Sequence, residues 1–247
     1  MKRFIVEKLP AQGRPVPLSP EESRHALQVF RLQDGDAVEA IDGTGGACGA
    51  RIRVGREVVL EFTGTGRAID PASQVVPVTV ELAVLKGDAM ADAIQKCVEL
   101  GASRLVPLLT EFTVVSLKGK GEGAFLARWR KIADQSLKQC GRLERLAISD
   151  PIELELLPRA ASGEAAFFCD EDAASEGGAP PMLEALAGLK PSTPVRLAIG
   201  PEGGWSDRDR DLLARSGRRP VTLGPLVLRA DTAVAFAVSL CAAHARA

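Results

Sequence analysis

Two short apolar runs that each stop at glycine constrain this chain most: Leu197-Ala-Ile-Gly-Pro-Glu-Gly-Gly-Trp-Ser206 and, further on, Leu223-Gly-Pro-Leu-Val-Leu-Arg-Ala-Asp-Thr-Ala233. An apolar run that halts at a Gly-rich bend reads as a buried parallel strand. Its carboxyl end exposes backbone N–H and C=O groups, where open α/β sheets bind small ligands. Two such ends lying side by side make a pocket. Glycines after strands also serve as plain turns, so either motif alone leaves both readings open. Together they gather Gly200, Gly203 and Gly204 around one acid, Glu202, and set Arg229 and Asp231 among apolar residues. That arrangement is costly unless the charges are paired or used.

From Val75 onward strand and helix patterns alternate, the grammar of βαβ units. The period predicts strands at Val78–Leu85, Arg104–Leu109, Ala165–Cys169, Val195–Ile199 and Val221–Gly224. Helices are expected at Ala89–Leu100, Phe125–Gln139, from Ser206-Asp-Arg-Asp209, and at Thr232–Ala245. The first 70 residues read as a small β-rich unit. Ser19-Pro-Glu-Glu22 has the form of a capping box opening a helix through His25, Leu27 and Phe30. Strands Ala37–Ile41, Cys48–Val54 and Val58–Phe62 follow, with a turn at Asp42–Gly46. Gly64–Ser73 is the expected linker, Gly177–Pro181 an expected surface loop, and Ala173–Gly178 an expected mobile stretch. The fold class is therefore α/β with two domains, 1–70 and 74–247.

Composition narrows the function. With 26% charged and 46% apolar residues, the 247-residue chain has the makeup of a folded soluble protein. The formal net charge of −1 hides a basic stretch from Lys118 through Lys120, Arg128, Arg130, Lys131, Lys138 and Arg142 to Arg145, suited to facing phosphates. Five cysteines without a C-x-x-C pair read as buried thiols in a reducing, cytoplasmic setting. The opening Met1–Lys8 has too few apolar residues for a signal-peptide core, and the apolar tail Ala233–Ala243 is too short to span a bilayer. No G-x-G-x-x-G, P-loop or G-x-S-x-G motif occurs. With only two histidines, His25 and His244, a metal centre is not expected, and His244 is expected to be exposed. Gly119–Gly123 reads as a solvated loop. Arg24, His25 and Arg31 decorate one short helix, as either a solvated face or an RNA contact.

Several blocks also carry a resemblance. They are His25 with Phe30-Arg31-Leu32 and Gly35-Asp36, Lys86-Gly-Asp88, Gln95–Gly101, Gln139-Cys-Gly-Arg142, Ile199–Ser206 and Leu223–Ala233. In that order they resemble the RsmE-type branch of the SPOUT superfamily, small-subunit (16S) ribosomal RNA uracil-N3 methyltransferases, nearly end to end. The resemblance implies an N-terminal barrel similar to PUA domains and a C-terminal α/β domain with a parallel sheet and a deep trefoil knot. It also implies a homodimer through the knotted domain and S-adenosylmethionine as cofactor. The cofactor wall would be Leu108, Leu109 and Thr110, then Ile199, Gly200, Pro201, Glu202, Gly203 and Gly204. Leu223, Gly224, Leu226, Val227, Leu228, Arg229 and Thr232 would complete it. RNA contacts would fall to Arg24, His25, Arg31, Lys86, Arg128, Lys138 and Arg142.

The chemistry suits these parts. A site that methylates uracil N3 must favour loss of the N3 proton and stabilise the anion. Arg229 is suited to the charge, Glu202 or Asp231 to the proton, and Arg142 to a phosphate or the target nucleotide. Three positions depart from the family pattern: Asp231 stands for a usual Glu, Phe112 for a frequent Arg, and Lys138 for a common acid. Another RNA position as target, or an inactive RNA-binding assembly factor, stays open at this level.

Overall fold

The computed structural model describes residues 1–68, 75–115, 122–172 and 178–246. It divides into two compact units, Met1–Gln74 with Asp134–Arg145, and Val75–Ala133 with Leu146–Ala247. The expected halves were continuous, whereas the segment Asp134–Arg145 clusters with the first unit. Of the features expected from sequence, residues 69–73 of the linker, Lys118 and Lys120 with most of the Gly119–Gly123 loop, and 173–177 lie outside the described residues.

The first unit is a five-stranded sheet in the order β1-β3-β4-β5-β2, built from β1 (Lys2–Ile5), β2 (Val16–Pro17), β3 (Ala37–Ile41), β4 (Gly46–Val54) and β5 (Val58–Ala68). β1 runs parallel to β3, and the other pairings are antiparallel. Period-two patterning puts Phe4, Val38, Ala40, Ile52 and Leu60 into one core. Between β2 and β3, Ser19 Oγ accepts from Glu22 N–H at 3.1 Å and Pro20 starts helix α1 (Pro20–Arg24). Glu22 does not close the capping box, because its carboxylate pairs with Lys138 at 2.6 Å. The expected helix through Phe30 changes to a π turn at His25–Val29. This turn buries only Ala26 and leaves Leu27 and Val29 exposed. Phe30 closes it, stacked on His25 (centroids 4.2 Å apart) and edge-on to Phe4. Arg31 then reverses the chain at φ 54°, a region a non-glycine residue rarely adopts.

The second unit begins with β6 (Val76–Ala83), α2 (Ala89–Glu99), β7 (Ala102–Leu109) and α3 (Glu122–Cys140). β8 (Ala147–Ile148), β9 (Ile152–Glu153), β10 (Ala165–Cys169), α4 (Met182–Ala187) and β11 (Val195–Ile199) come next. α5 (Asp207–Arg215), β12 (Arg219–Val221) and α6 (Ala230–Ala245) end the chain. Its sheet is parallel, in the order β12-β10-β11-β6-β7-β8 with β9 beside β7. Crossover connections cover the faces of a parallel sheet, which explains the near-continuous apolar runs of its middle strands. Every residue of β10 is buried. Inside the sheet Arg218 pairs with Glu81 at 2.6 Å, both fully buried. Arg196 bridges Glu81 and Glu164.

Three further expectations need correction. The ends of β11 and β12 are not neighbours, because β10 lies between them. His244 is half-buried, with its Nε2 screened from solvent and no hydrogen-bond partner among the described residues, because it lies on the last turn of α6. Cys140 is exposed at the end of α3, while the other four cysteines are buried. No helix of the described residues is long and apolar enough to cross a membrane. No metal-binding group of His, Cys, Asp and Glu forms among them.

Candidate functional site

The carboxyl ends of β10 and β11 and the loop after β12 enclose a cavity of about 450 Å³, within the size range of small-molecule sites. β11 stops at Ile199, and Gly200 turns the chain. A Cβ at Gly200 would sit 3.2 Å from the buried Trp205 ring, so a side chain there would push on the ring. Trp205 Nε1 donates to Cys169 O at 2.8 Å, which ties this bend to the end of β10. Gly204 (φ +71°) returns the chain, and the carboxylate of Glu171 occupies the space a Cβ there would fill. Ser206 then caps α5 in a reciprocal box with Asp209, and its hydroxyl donates to Glu111 at 2.7 Å. On the opposite wall, Leu226, Val227, Leu228 and Arg229 lead into α6, whose first turn carries Asp231.

Ile199, Gly200, Pro201, Glu202, Gly204, Leu223, Gly224, Leu226, Val227, Leu228, Arg229 and Asp231 thus line one cavity. Leu108, Leu109, Thr110, Gly203 and Thr232 do not. Leu108 is fully buried in a core cluster with Trp205 and Leu213, away from the cavity wall. Thr110 spends its hydroxyl on Thr113, 3.0 Å away. Gly203 faces Phe112, whose Cβ lies 3.3 Å from where a side chain at 203 would begin, so an apolar side chain packs over the bend.

Sequence reasoning missed Cys169, Asp170 and Glu171. Three successive acids, Asp170, Glu171 and Asp172, directly after the apolar run at 165–169 were the available signal, but no glycine bend drew attention to them. Asp170 is held by both Arg210 Nε and Nη2, at 3.0 and 3.2 Å. The Cys169 thiol is pushed far above its ordinary range, chiefly by burial and further by Cys241, Glu171 and Asp170 around it. It is therefore a neutral, poorly nucleophilic wall.

The basic candidates fall apart into exposed and committed groups. Arg24, Arg31, Lys86 and Arg128 are exposed, and His25 is half-buried against Phe30. Lys138 is engaged by Glu22, and Arg142 is only 4% exposed, with its Nε donating to Glu144 O. Neither offers the open phosphate contact expected of it.

A family model described as an RNA methyltransferase domain matches residues 72–242, and one described as an RNA methyltransferase PUA domain matches 18–61. The ribosomal RNA small subunit methyltransferase E of Synechocystis sp. is 32% identical over 233 residues, covering 91% of this chain and 71% of that protein. The chain is a member of the ribosomal RNA small subunit methyltransferase E family. The Bacillus subtilis member is 26% identical and covers 97% of this chain and 95% of its own length. Among solved members, that of Neisseria gonorrhoeae, bound to S-adenosyl methionine, superposes with a TM-score of 0.81 at 26% identity, covering 96% of this chain and 95% of that one. A Legionella pneumophila protein in complex with the cofactor SAM gives 0.84 at 28% identity, covering 98% and 96%.

Proposed function

We propose that this chain methylates N3 of a uridine in 16S ribosomal RNA, using S-adenosylmethionine held in the cavity at the ends of β10 and β11. The single observation that carries this reading is that the two glycine-marked loops meet in one cavity with Glu202, Arg229 and Asp231 on its wall. The residues present fit the cofactor. The cavity has nucleoside-scale volume, glycine bends at Gly200, Gly204 and Gly224, and apolar surface at Ile199 and Leu226–Leu228. Its acids, Asp170, Glu171, Glu202 and Asp231, complement a cation.

When bound, the cofactor supplies a methyl group on a sulfonium sulfur that leaves as a neutral thioether. The chain must hold the uracil edge beside the cavity, which is mainly a matter of positioning. One carboxylate, Glu202 or Asp231, takes the proton from N3. The Arg229 guanidinium offsets the negative charge left on the ring, worth most where water is excluded. RNA contact is assigned to Arg24, His25 and Arg31 on the first unit and to Lys86 and Arg128 on the second.

The assembly is a homodimer through a knotted C-terminal domain, and an rRNA target puts the enzyme in the cytoplasm. The exposed apolar side chains Leu226, Val227 and Phe236 support the dimer. Light scattering should give twice the chain mass, and a monomeric mass would remove that part. To test the activity, rRNA from cells lacking the protein should lose one N3-methyluridine and regain it on complementation. Loss of a different mark would refute the uracil assignment. In binding assays, Arg128→Ala should weaken RNA affinity and make the salt slope shallower by roughly one counterion.

A further inference from the structure

The loop after β6 carries Lys86, Gly87 and Asp88, and the residue after it, Ala89, both starts α2 and lines the cavity. Gly87 turns at φ +56°, and Lys86 O accepts from Ala89 N–H at 3.3 Å, so this is a tight turn whose placement fixes the start of α2. Asp88, at the N-cap position of α2, makes no side-chain capping bond. The acid that reaches this turn comes from elsewhere. Glu202 Oε1, on the bend after β11, accepts from Lys86 N–H at 3.0 Å. β6 and β11 are adjacent strands, so one carboxylate ties the loops leaving two neighbouring strand ends.

We infer that Glu202 is a positioning residue, clasping the Lys86–Asp88 turn to the Gly200–Gly204 bend, and that Asp231 is the carboxylate that accepts the uracil N3 proton. The inference rests on the methyltransferase reading for the role of Asp231, but the clasp stands on geometry alone. The bond from Lys86 N–H to Oε1 fixes the Glu202 carboxylate toward the neighbouring main chain, whereas a proton acceptor must point at its substrate. Asp231 shares the first turn of α6 with the loop bearing Arg229, which places acid and anion-stabilising cation on one wall.

The chemistry of the side chain makes the two roles separable. A glutamine at 202 keeps an oxygen able to accept from Lys86 N–H but cannot take a proton. The test follows Lys86 amide hydrogen exchange, S-adenosylmethionine affinity by calorimetry, and turnover against pH in Glu202→Gln, Glu202→Ala and Asp231→Asn. Expected results are a protected Lys86 amide in the wild type and Glu202→Gln. In Glu202→Ala, exchange should be faster and cofactor affinity about five- to tenfold lower, the ratio an ordinary lost hydrogen bond gives. Glu202→Gln should rescue most of the turnover that Glu202→Ala loses. Asp231→Asn should bind cofactor with wild-type affinity but lose turnover. An inactive Glu202→Gln with a protected Lys86 and normal affinity would make Glu202 the acceptor and overturn the inference. Unchanged Lys86 exchange in Glu202→Ala would overturn it too. If the wild type binds no cofactor, the methyltransferase reading fails, while the exchange contrast still decides the clasp.

Discussion

At Gly204 two demands coincide, a left-handed backbone at φ +71° and space for the Glu171 carboxylate. Gly204→Ala should therefore cost about 1–2 kcal/mol from the backbone alone and move Glu171 within the cavity. Paired denaturation and cofactor titrations would show both losses, and an unaffected titration would mean Glu171 is idle. Arg218 presents a different case. Removing it strands Glu81 in the sheet, and losing one partner of a buried pair costs about 3–5 kcal/mol, so Arg218→Met should fall at the lower end because Arg196 also reaches Glu81. Glu164 gives a pH signature. Its hydrogen bond from Arg196, aided by Ala161 N–H and Arg218 against the cost of burial, holds its carboxyl below the ordinary value of 4.5. The stability it contributes is complete above that value and fades as pH falls through the lowered one. Melting curves between about pH 3 and 6 should show this loss in the wild type and a weaker one in Glu164→Gln. At this scale the sequence exposed Glu202, Arg229 and Asp231 because glycines and isolated charges flanked them. Glu171 stayed hidden because only the sheet order brings it there.

Among elements, strands with strict patterning were legible to the residue, as at Ala37–Ile41, Ala165–Cys169 and Val195–Ile199. The two-residue strands β2, β8 and β9 were not, since so short a run carries no period. The π turn at His25–Val29 was equally hidden, because an apolar repeat shows that a helix forms but not where it widens. Helix α5 announced itself through Ser206 and Asp209, and both halves of that box are formed. Ser206→Ala should destabilise the second unit by about 1 kcal/mol and also free Glu111, readable as a shift in denaturant midpoint at constant slope.

For the molecule as a whole, the decisive arrangement is β10 between β11 and β12, which no local pattern could disclose because it depends on the order in which distant strands join the sheet. Since every wall of the cavity belongs to the second unit, saturating cofactor should raise that unit's melting transition and leave any separate transition of the first unit in place. Ligand at a hundred times its dissociation constant adds about 2.7 kcal/mol, and a uniform shift of both transitions would show that they unfold as one.

The distribution of sulfur also has a practical outcome. Four thiols are enclosed, with Cys241 pushed up to about 12 by burial, and Cys140 alone faces solvent at the close of α3. A maleimide fluorophore should therefore attach once per chain without mutagenesis, supplying a ready optical reporter for titrations with ribosomal particles.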